Sequence, residues 1–435
     1  MPLWSSQRKV TEAGGPTLAS HTARYLAWCR NPSAVDALQL VDCIVADAIE
    51  VAASDIHIEP WAEGIVVRFR LAGMLHRHAV LPLELMERIG GRFRVMGDME
   101  RFRPVTPQEG GATPGFSSSH VQLRISIFPT KRGEKIVIRL FDTRDRTFRL
   151  DGLGLDPDVL EPLTGLLRSA TGTILFTGPT GSGKTTAIYA CLSHLQSLHG
   201  DRISIATVED PVEFSLPAIS QAEITPERDF TYPSALRSLM RQDPQIIAVG
   251  EIRDPETAST ALQAGLTGHL VLSSVHSPGT AGVFARLLQM GIEPFVVGSS
   301  VLAVVGLRLL RVNCPYCRVP VQPDGRWLRL VDSELHGQLQ LWRGDGCEHC
   351  AHTGVSGRCA LGELMLVTDE LHDVISRRAS TREIALMARQ SGMRTLWERG
   401  LQRVFAGEVA GDELLRCVSP AGGWTQETNG VTEQS

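Results

Sequence analysis

The segment Gly178-Pro-Thr-Gly-Ser-Gly-Lys-Thr185 constrains this chain more than any other. It runs glycine, four residues, then Gly-Lys-Thr, directly after the apolar run Thr173–Phe176. That run reads as a buried strand and Thr185 to Leu198 as a helix, so the motif sits in a strand–loop–helix unit. The glycines let successive backbone N–H groups curl around a phosphate, and the helix N-terminus adds partial positive charge. Gly178, Pro179, Thr180, Gly181, Ser182, Gly183, Lys184, Thr185 and Thr186 are the expected nucleotide-binding residues. Lys184 is expected to reach the β- and γ-phosphate oxygens of ATP and Thr185 to hold Mg²⁺.

At 435 residues the chain has the length for about three domains. A net charge of −5 gives no global drive toward a polyanion, and no nucleic-acid partner is expected. Arginines cluster between Arg88 and Arg103, which reads as a solvated or inter-subunit face. The N-terminus lacks the apolar core of a signal peptide. The most apolar stretch, Pro294 to Leu307, is too short to span a bilayer and runs into Arg308. A cytoplasmic protein is expected, touching membranes only through partners. Nine cysteines without a secretory signal point to thiols, some of them metal ligands.

Along the chain, residues 1–35 read as a loosely ordered arm with one short helix. Helical spacing follows from Ala34 to Ala52. Strand-like runs then fall at Asp55–Glu59, Ile65–Leu71, Val121–Phe128 and Lys135–Phe141. These make residues 36–150 a small α/β domain. Residues 151–162, with Asp-Gly, Gly-Leu and two prolines, read as a linker. From 163 to 310 strand and helix patterns alternate, the signature of a parallel sheet flanked by helices. A cysteine-bearing element (311–360), a helical region (361–418) and a disordered tail (419–435) complete the reading.

A second apolar run, Ile246–Val249, leads into Gly250-Glu251-Ile-Arg-Asp254 and places a carboxylate at the end of a buried strand. Ligand sites of parallel sheets lie at such ends, and Glu251 is the first candidate for polarising the attacking water. The strand Ser204–Val208 ends likewise in Glu209-Asp210-Pro-Val-Glu213, and Glu209 is the second. His269 and His276 bracket the apolar strand between them and are read as phosphate sensors.

Together these segments resemble the type II secretion and type IV pilus assembly ATPases. The resemblance is carried by Gly178–Thr186, Thr207-Val-Glu-Asp-Pro-Val-Glu213, Arg241-Gln-Asp-Pro244 with Gly250–Asp254, and Gly268-His-Leu-Val271 with His276. Ala53-Ser-Asp-Ile-His-Ile-Glu-Pro60 and Gly354–Arg358 add to it. It implies a homohexamer of RecA-like P-loop NTPase domains, each preceded by a smaller α/β domain that supplies arginines to the nucleotide. Arg124 and Arg139 match those arginines. A guanidinium suits the role because it is always charged and offers paired donors.

Cys314-Pro-Tyr-Cys317 and Cys347-Glu-His-Cys350 form two Cys-x-x-Cys pairs separated by 29 residues. Each pair supplies two thiolates on one knuckle, the donor set of a closed structural Zn²⁺ site. Extension and secretion members of the family carry such an element. The chain departs from the family at Leu71-Ala-Gly73, at Pro107-Gln-Glu-Gly-Gly111, at Gln245 and at Ser274-Val-His-Ser-Pro278. The first 35 residues leave no room for the usual adaptor domain. Lys184, Thr185, Glu209, Glu251, His269 and His276 all stand. The resemblance therefore implies an ATP-hydrolysing motor that drives pilin or pseudopilin assembly through an inner-membrane platform protein. Two other classes fit the residues: a DNA- or conjugation-type translocase, and a nucleotide-binding scaffold without turnover.

Overall fold

The computed structural model describes residues 21–29, 34–100, 106–114, 121–142, 148–225, 228–331, 339–350 and 352–420. The expectations for residues 1–20 and 421–435, and for Arg101 and Arg103, lie outside the described residues. The chain divides into two units.

The first unit opens with α1 (His21–Cys29) and α2 (Ala37–Glu50). Strands β1 (Asp55–Trp61), β2 (Gly64–Leu71) and β3 (Met74–Leu81), helix α3 (Met86–Met96), then β4 (Gln108–Ala112), β5 (Val121–Thr130) and β6 (Gly133–Asp142) follow. The strands form one antiparallel sheet in the order β3-β2-β1-β6-β5-β4. Alternation decides its two faces. Ile56, Ile58, Val67, Phe69, Ile125, Ile127, Ile136 and Ile138 bury one face in a core shared with Leu40 and Ile44 of α2 and Ile89 and Phe93 of α3. Each such side chain contributes about 1.5–3 kcal/mol relative to exposure. The intervening positions put Asp55, His57, Glu59, Arg68, Arg70, Lys135 and Arg139 on the other face.

Strand β3 is not apparent from its pattern, since His76, Arg77 and His78 interrupt the apolar positions. Its turn makes it a strand. Ala72 and Gly73 both have positive φ (46° and 84°), as a tight two-residue hairpin requires, and Leu71 pairs with Met74 across it. Helix α1 is tied down by Asp47, which is buried and accepts from the backbone N–H groups of His21 and Thr22, both at 3.0 Å.

The arginine cluster is solvated only in part, with Arg88 exposed and Arg92 partly so. Arg94 is buried, paired with Glu134 and donating to Gln108 at 2.9 Å. Arg92 meets Asp42 at 3.4 Å, and Arg88 donates to the Val35 carbonyl. The three residues hold α3 inside its own unit because a long guanidinium stem reaches acceptors that helical periodicity does not reveal.

The second unit begins with α4 (Pro157–Leu166), so the segment read as a linker holds the first part of a helix. Then come β7 (Gly172–Thr177), α5 (Lys184–His199), β8 (Ile205–Glu209), β9 (Ser220–Glu223), α6 (Tyr232–Leu239), β10 (Ile246–Val249), α7 (Pro255–Leu266), β11 (Leu270–Val275), α8 (Thr280–Gln289), α9 (Pro294–Ser300) and β12 (Val301–Asn313). After them run β13 (Arg318–Val321), α10 (Gly325–Leu330), β14 (Leu341–Gly344), β15 (Val355–Leu366), α11 (Asp369–Ser376), α12 (Thr381–Gln390), α13 (Leu396–Phe405) and α14 (Gly411–Cys417).

Seven strands form the main sheet in the order β15-β12-β7-β11-β10-β8-β9, and the five pairs from β12 to β9 are parallel. One face is covered by α7, α8, α9, α11 and α12, the other by α4 and α5. Leu361–Leu366 continues β15 instead of opening the helical region, because the sheet edge at β12 outweighs a local sequence suited to helix. Past the main sheet, Trp327 and Trp397 stack at 6.2 Å in a further core with Leu310, Val404 and Leu414. Among the described residues no helix is long and apolar enough to cross a membrane.

Candidate nucleotide site

All six residues of β7 are buried, and its end delivers the chain into the glycine loop. Gly178 has φ +151°, and a Cβ there would come within 2.5 Å of both Leu307 O and Ser182 Oγ, so only glycine fits. Gly183 (φ 94°) then turns the chain into α5. Lys184 Nζ donates to the carbonyls of Gly178 at 2.8 Å and Pro179 at 3.1 Å, folding its side chain back over the loop. Burial lowers its pKa, while the charge of Glu251 works against that shift. Ser182 Oγ is buried and has no hydrogen-bond partner among the described residues. An orphaned hydroxyl, a loop that admits no Cβ and a lysine at a helix N-terminus together fit a phosphate chain. Thr185 is partly exposed and Thr186 exposed at the start of α5.

Register brings the other groups to the same edge of the sheet. Val275 pairs with Thr177 and Ser273 with Val249, so the loop, Glu251 and His276 all leave the C-terminal ends of adjacent strands. Ser274 stitches two of these ends together: its Oγ donates to Gly250 O at 2.7 Å, and its carbonyl accepts from Ile252 N at 2.9 Å. Glu251 has 15% side-chain exposure. His276 Nε2 lies 3.0 Å from its Oε1, and Arg253 Nε donates to Oε2 at 2.7 Å. Arg253 also approaches Asp210 at 3.7 Å. Sequence reasoning assigned Arg253 and Ser274 no role; their presence in the motifs around Glu251 and His276 was the available signal.

Glu209 ends β8 but lives in a different setting. It is buried, and it accepts from Thr207 Oγ1 at 2.6 Å, from Gln221 Nε2 at 3.1 Å and from Tyr189 Oη. Burial and that last bond together raise the pKa of Tyr189, keeping the phenol a donor. Three neutral donors occupy the carboxylate, so Glu209 holds α5 and β9 to the strand end.

His269 lies away from the glycine loop of its own chain. Its neighbour Leu270 pairs with Gly172 and with Ile246, the first residues of β7 and β10. That is the opposite edge of the sheet, a strand length of about 20 Å from the loop in the same chain. Its Nδ1 lies 3.1 Å from Ala264 O, an ordinary bond to the end of α7. The bracketing pattern in the sequence fits both histidines, but a strand has two ends and only His276 is at the phosphate end.

In the first unit Arg124 and Arg139 stand directly opposite each other on β5 and β6. Like charges so placed repel, and each leans on an acid: Arg124 on Glu109 at 3.0 Å, Arg139 on Asp55 at 3.0 Å. Arg139 keeps 61% side-chain exposure.

Cys314, Cys317, Cys347 and Cys350 place all four sulfurs within 4.8 Å of one another. Cys350 Sγ accepts from the backbone N–H groups of Cys347 and Gly354, both at 3.2 Å, as a thiolate in a metal knuckle would. The donor set fits zinc.

The family model described as type II/IV secretion system protein matches residues 33–416. The type II secretion system protein HxcR of Pseudomonas aeruginosa is 39% identical over 385 residues, covering 88% of this chain and 78% of that one. The type II secretion system ATPase E of Vibrio cholerae is 37% identical, covering 87% and 75%. The type IV pilus assembly ATPase PilB of Thermus thermophilus is 38% identical over 87% of this chain, which spans 42% of that longer protein. Among solved structures, the pilus retraction motor PilT with bound ADP aligns with a TM-score of 0.60 at 21% identity over 86% of this chain and 96% of that one. The Legionella pneumophila ATPase DotB aligns at 0.64 and 18%, over 86% and 94%. At those identities the likeness is one of fold. By the extent of the family match and of the sequence identities, this chain belongs to the type II/IV secretion system protein family.

Proposed function

We propose that this chain is the ATP-hydrolysing subunit of a cytoplasmic hexameric motor. In this reading it drives pilin or pseudopilin subunits into a filament through an inner-membrane platform protein. The observation that carries the reading is the convergence of the Lys184 loop, Glu251 and His276 at one sheet edge, in a chain whose relatives are secretion and pilus-assembly ATPases.

Mg²⁺-bound ATP would supply the γ-phosphoryl group to be transferred. The loop from Gly178 to Gly183 presents its N–H groups to the phosphates, Lys184 exchanges its two backbone carbonyls for phosphate oxygens, and Thr185 offers its hydroxyl to Mg²⁺. Glu251 orients water and takes its proton, with His276 and Arg253 fixing the plane of the carboxylate. Arg124 and Arg139 are assigned to the phosphates as paired cations, which would relieve their mutual repulsion. Glu209 is assigned to holding the fold of the site. Zn²⁺ at Cys314, Cys317, Cys347 and Cys350 would have no open ligand position, so its part is to fold that element.

Steady-state phosphate release by zinc-replete protein over a concentration series tests the reading. Turnover that rises with assembly and vanishes in Lys184→Ala and Glu251→Gln supports a working ring. Absent turnover in assembled protein with ATP bound turns the reading into a nucleotide-binding scaffold.

A further inference from the structure

Arg308 stands on β12 two residues past Gly306, which pairs with Thr177 at the end of β7. That register sets it level with the start of the glycine loop. The same stretch of β12 closes on the loop, since Leu307 O is one of the two atoms that forbid a Cβ at Gly178. The Arg308 guanidinium is half-buried, and burial lowers its pKa below the ordinary arginine value. No carboxylate among the described residues comes within ion-pair distance of it. Its donors go instead to three carbonyls: Nε to Cys417 at 3.1 Å, Nη1 to Leu307 at 2.9 Å and Nη2 to Pro278 at 3.0 Å.

These carbonyls belong to three parts of the unit. Cys417 ends α14, Leu307 abuts the glycine loop, and Pro278 lies two residues after His276. The loop that follows β11 is fastened once more, by Thr177 Oγ1 donating to Ser277 O at 3.2 Å. We propose that Arg308 is a positioning residue that ties the end of α14 to the His276 loop. The placement of the C-terminal helices thereby sets the contact between His276 and Glu251. This rests on the reading of Glu251 and His276 as the hydrolytic pair.

The chemistry of the side chain makes the proposal testable. A guanidinium spreads its N–H groups over a rigid planar fork, whereas an ammonium offers donors from a single atom and cannot meet three carbonyls so separated. Arg308→Lys therefore keeps the charge and loses the geometry.

The experiment measures ATP turnover of assembled, zinc-replete protein together with amide hydrogen exchange over residues 273–282. Arg308→Lys is expected to lower kcat about tenfold or more with KM for ATP held within about threefold, and to speed exchange after His276. Val418→Ala, at the buried end of α14, is expected to lower kcat by a smaller factor. Combined with Arg308→Lys it should add nothing further, because both act through one link. Wild-type kcat and exchange in Arg308→Lys, a kcat loss no larger than its loss of folded protein, or effects of the two substitutions that multiply would each overturn the link. Should the wild-type protein not hydrolyse ATP while both substitutions still speed exchange after His276, the hydrolytic reading fails and the link stands.

Discussion

Glu209 and Glu251 leave the C-terminal ends of neighbouring parallel strands, within one sheet and a few residues of the same edge. Their surroundings differ in kind. Glu209 is packed among neutral donors, Thr207, Gln221 and Tyr189, which fix the carboxylate without drawing it toward solvent. Glu251 touches the guanidinium of Arg253 and the ring of His276. Both are themselves well exposed, with side-chain exposures of 60% and 46%. A carboxylate saturated by buried neutral partners is fastened in place. One held by exposed partners can exchange them when a highly charged ligand arrives. Position on a strand therefore nominates an acid, and the donors around it assign the work.

The strongest attempt to break this contrast is substitution at both acids. Glu251→Gln should reduce phosphate release by at least about 100-fold while ATP still binds, as judged by a fluorescent nucleotide analogue. Glu209→Gln should cost about 1–3 kcal/mol of stability in urea unfolding, because an amide nitrogen would face buried donors, with a much smaller loss of turnover by the remaining folded protein. Equal losses of turnover at equal stability would erase the distinction. The histidines give a second comparison at the next level of effect. His276→Ala should lower kcat by about tenfold or more, and His269→Ala should lower it less, since its ring bonds the end of α7 in its own chain. A larger effect at His269 would mean that a neighbouring subunit brings it to a nucleotide.

The smallest expected effect is a pH dependence in the other unit. His57 sits on β1 with its pKa lowered by burial and then by the charge of Arg70. Arg70 Nη2 donates to its Nε2 at 3.3 Å, which assigns the ring proton to Nδ1. Because the folded state resists protonation, the unfolded chain binds the extra proton first. Stability contributed here is full above the ordinary histidine value of about 6.5 and falls as pH drops below it. Urea midpoints from pH 8 to pH 5.5 should decline, and His57→Gln should flatten part of that decline. A steeper decline in the variant would contradict the assignment.

Much of this molecule was legible because its informative segments obey local rules. The strand–loop–helix order around Lys184, the apolar runs before Glu209 and Glu251 and the cysteine spacing each need only a few consecutive residues. What escaped depends on register or reach. Which end of β11 faces the loop is set by pairing with β7 and β10, so His269 and His276 looked alike. The Tyr189 and Gln221 bonds that occupy Glu209 come from α5 and β9. Strand β3 is set by a turn, not by its own composition, and the arginines of α3 reach acids on α2 and β6 that no periodicity links to them.

Strand β12 has a thermodynamic consequence. Val301 and Val304 belong to the core on one face of the main sheet, Ala303, Val305 and Leu307 to the core on the other, and Leu310 to the core built around Trp327 and Trp397. One continuous strand thus enters three hydrophobic cores. A cut drawn near residue 310, where the sequence suggests a boundary, would sever it within its span. None of these cores can melt without withdrawing residues from the strand the others need. The region from the glycine loop to α14 is therefore expected to unfold as a single cooperative block, and a fragment ending at residue 310 would lack the segment that seals it.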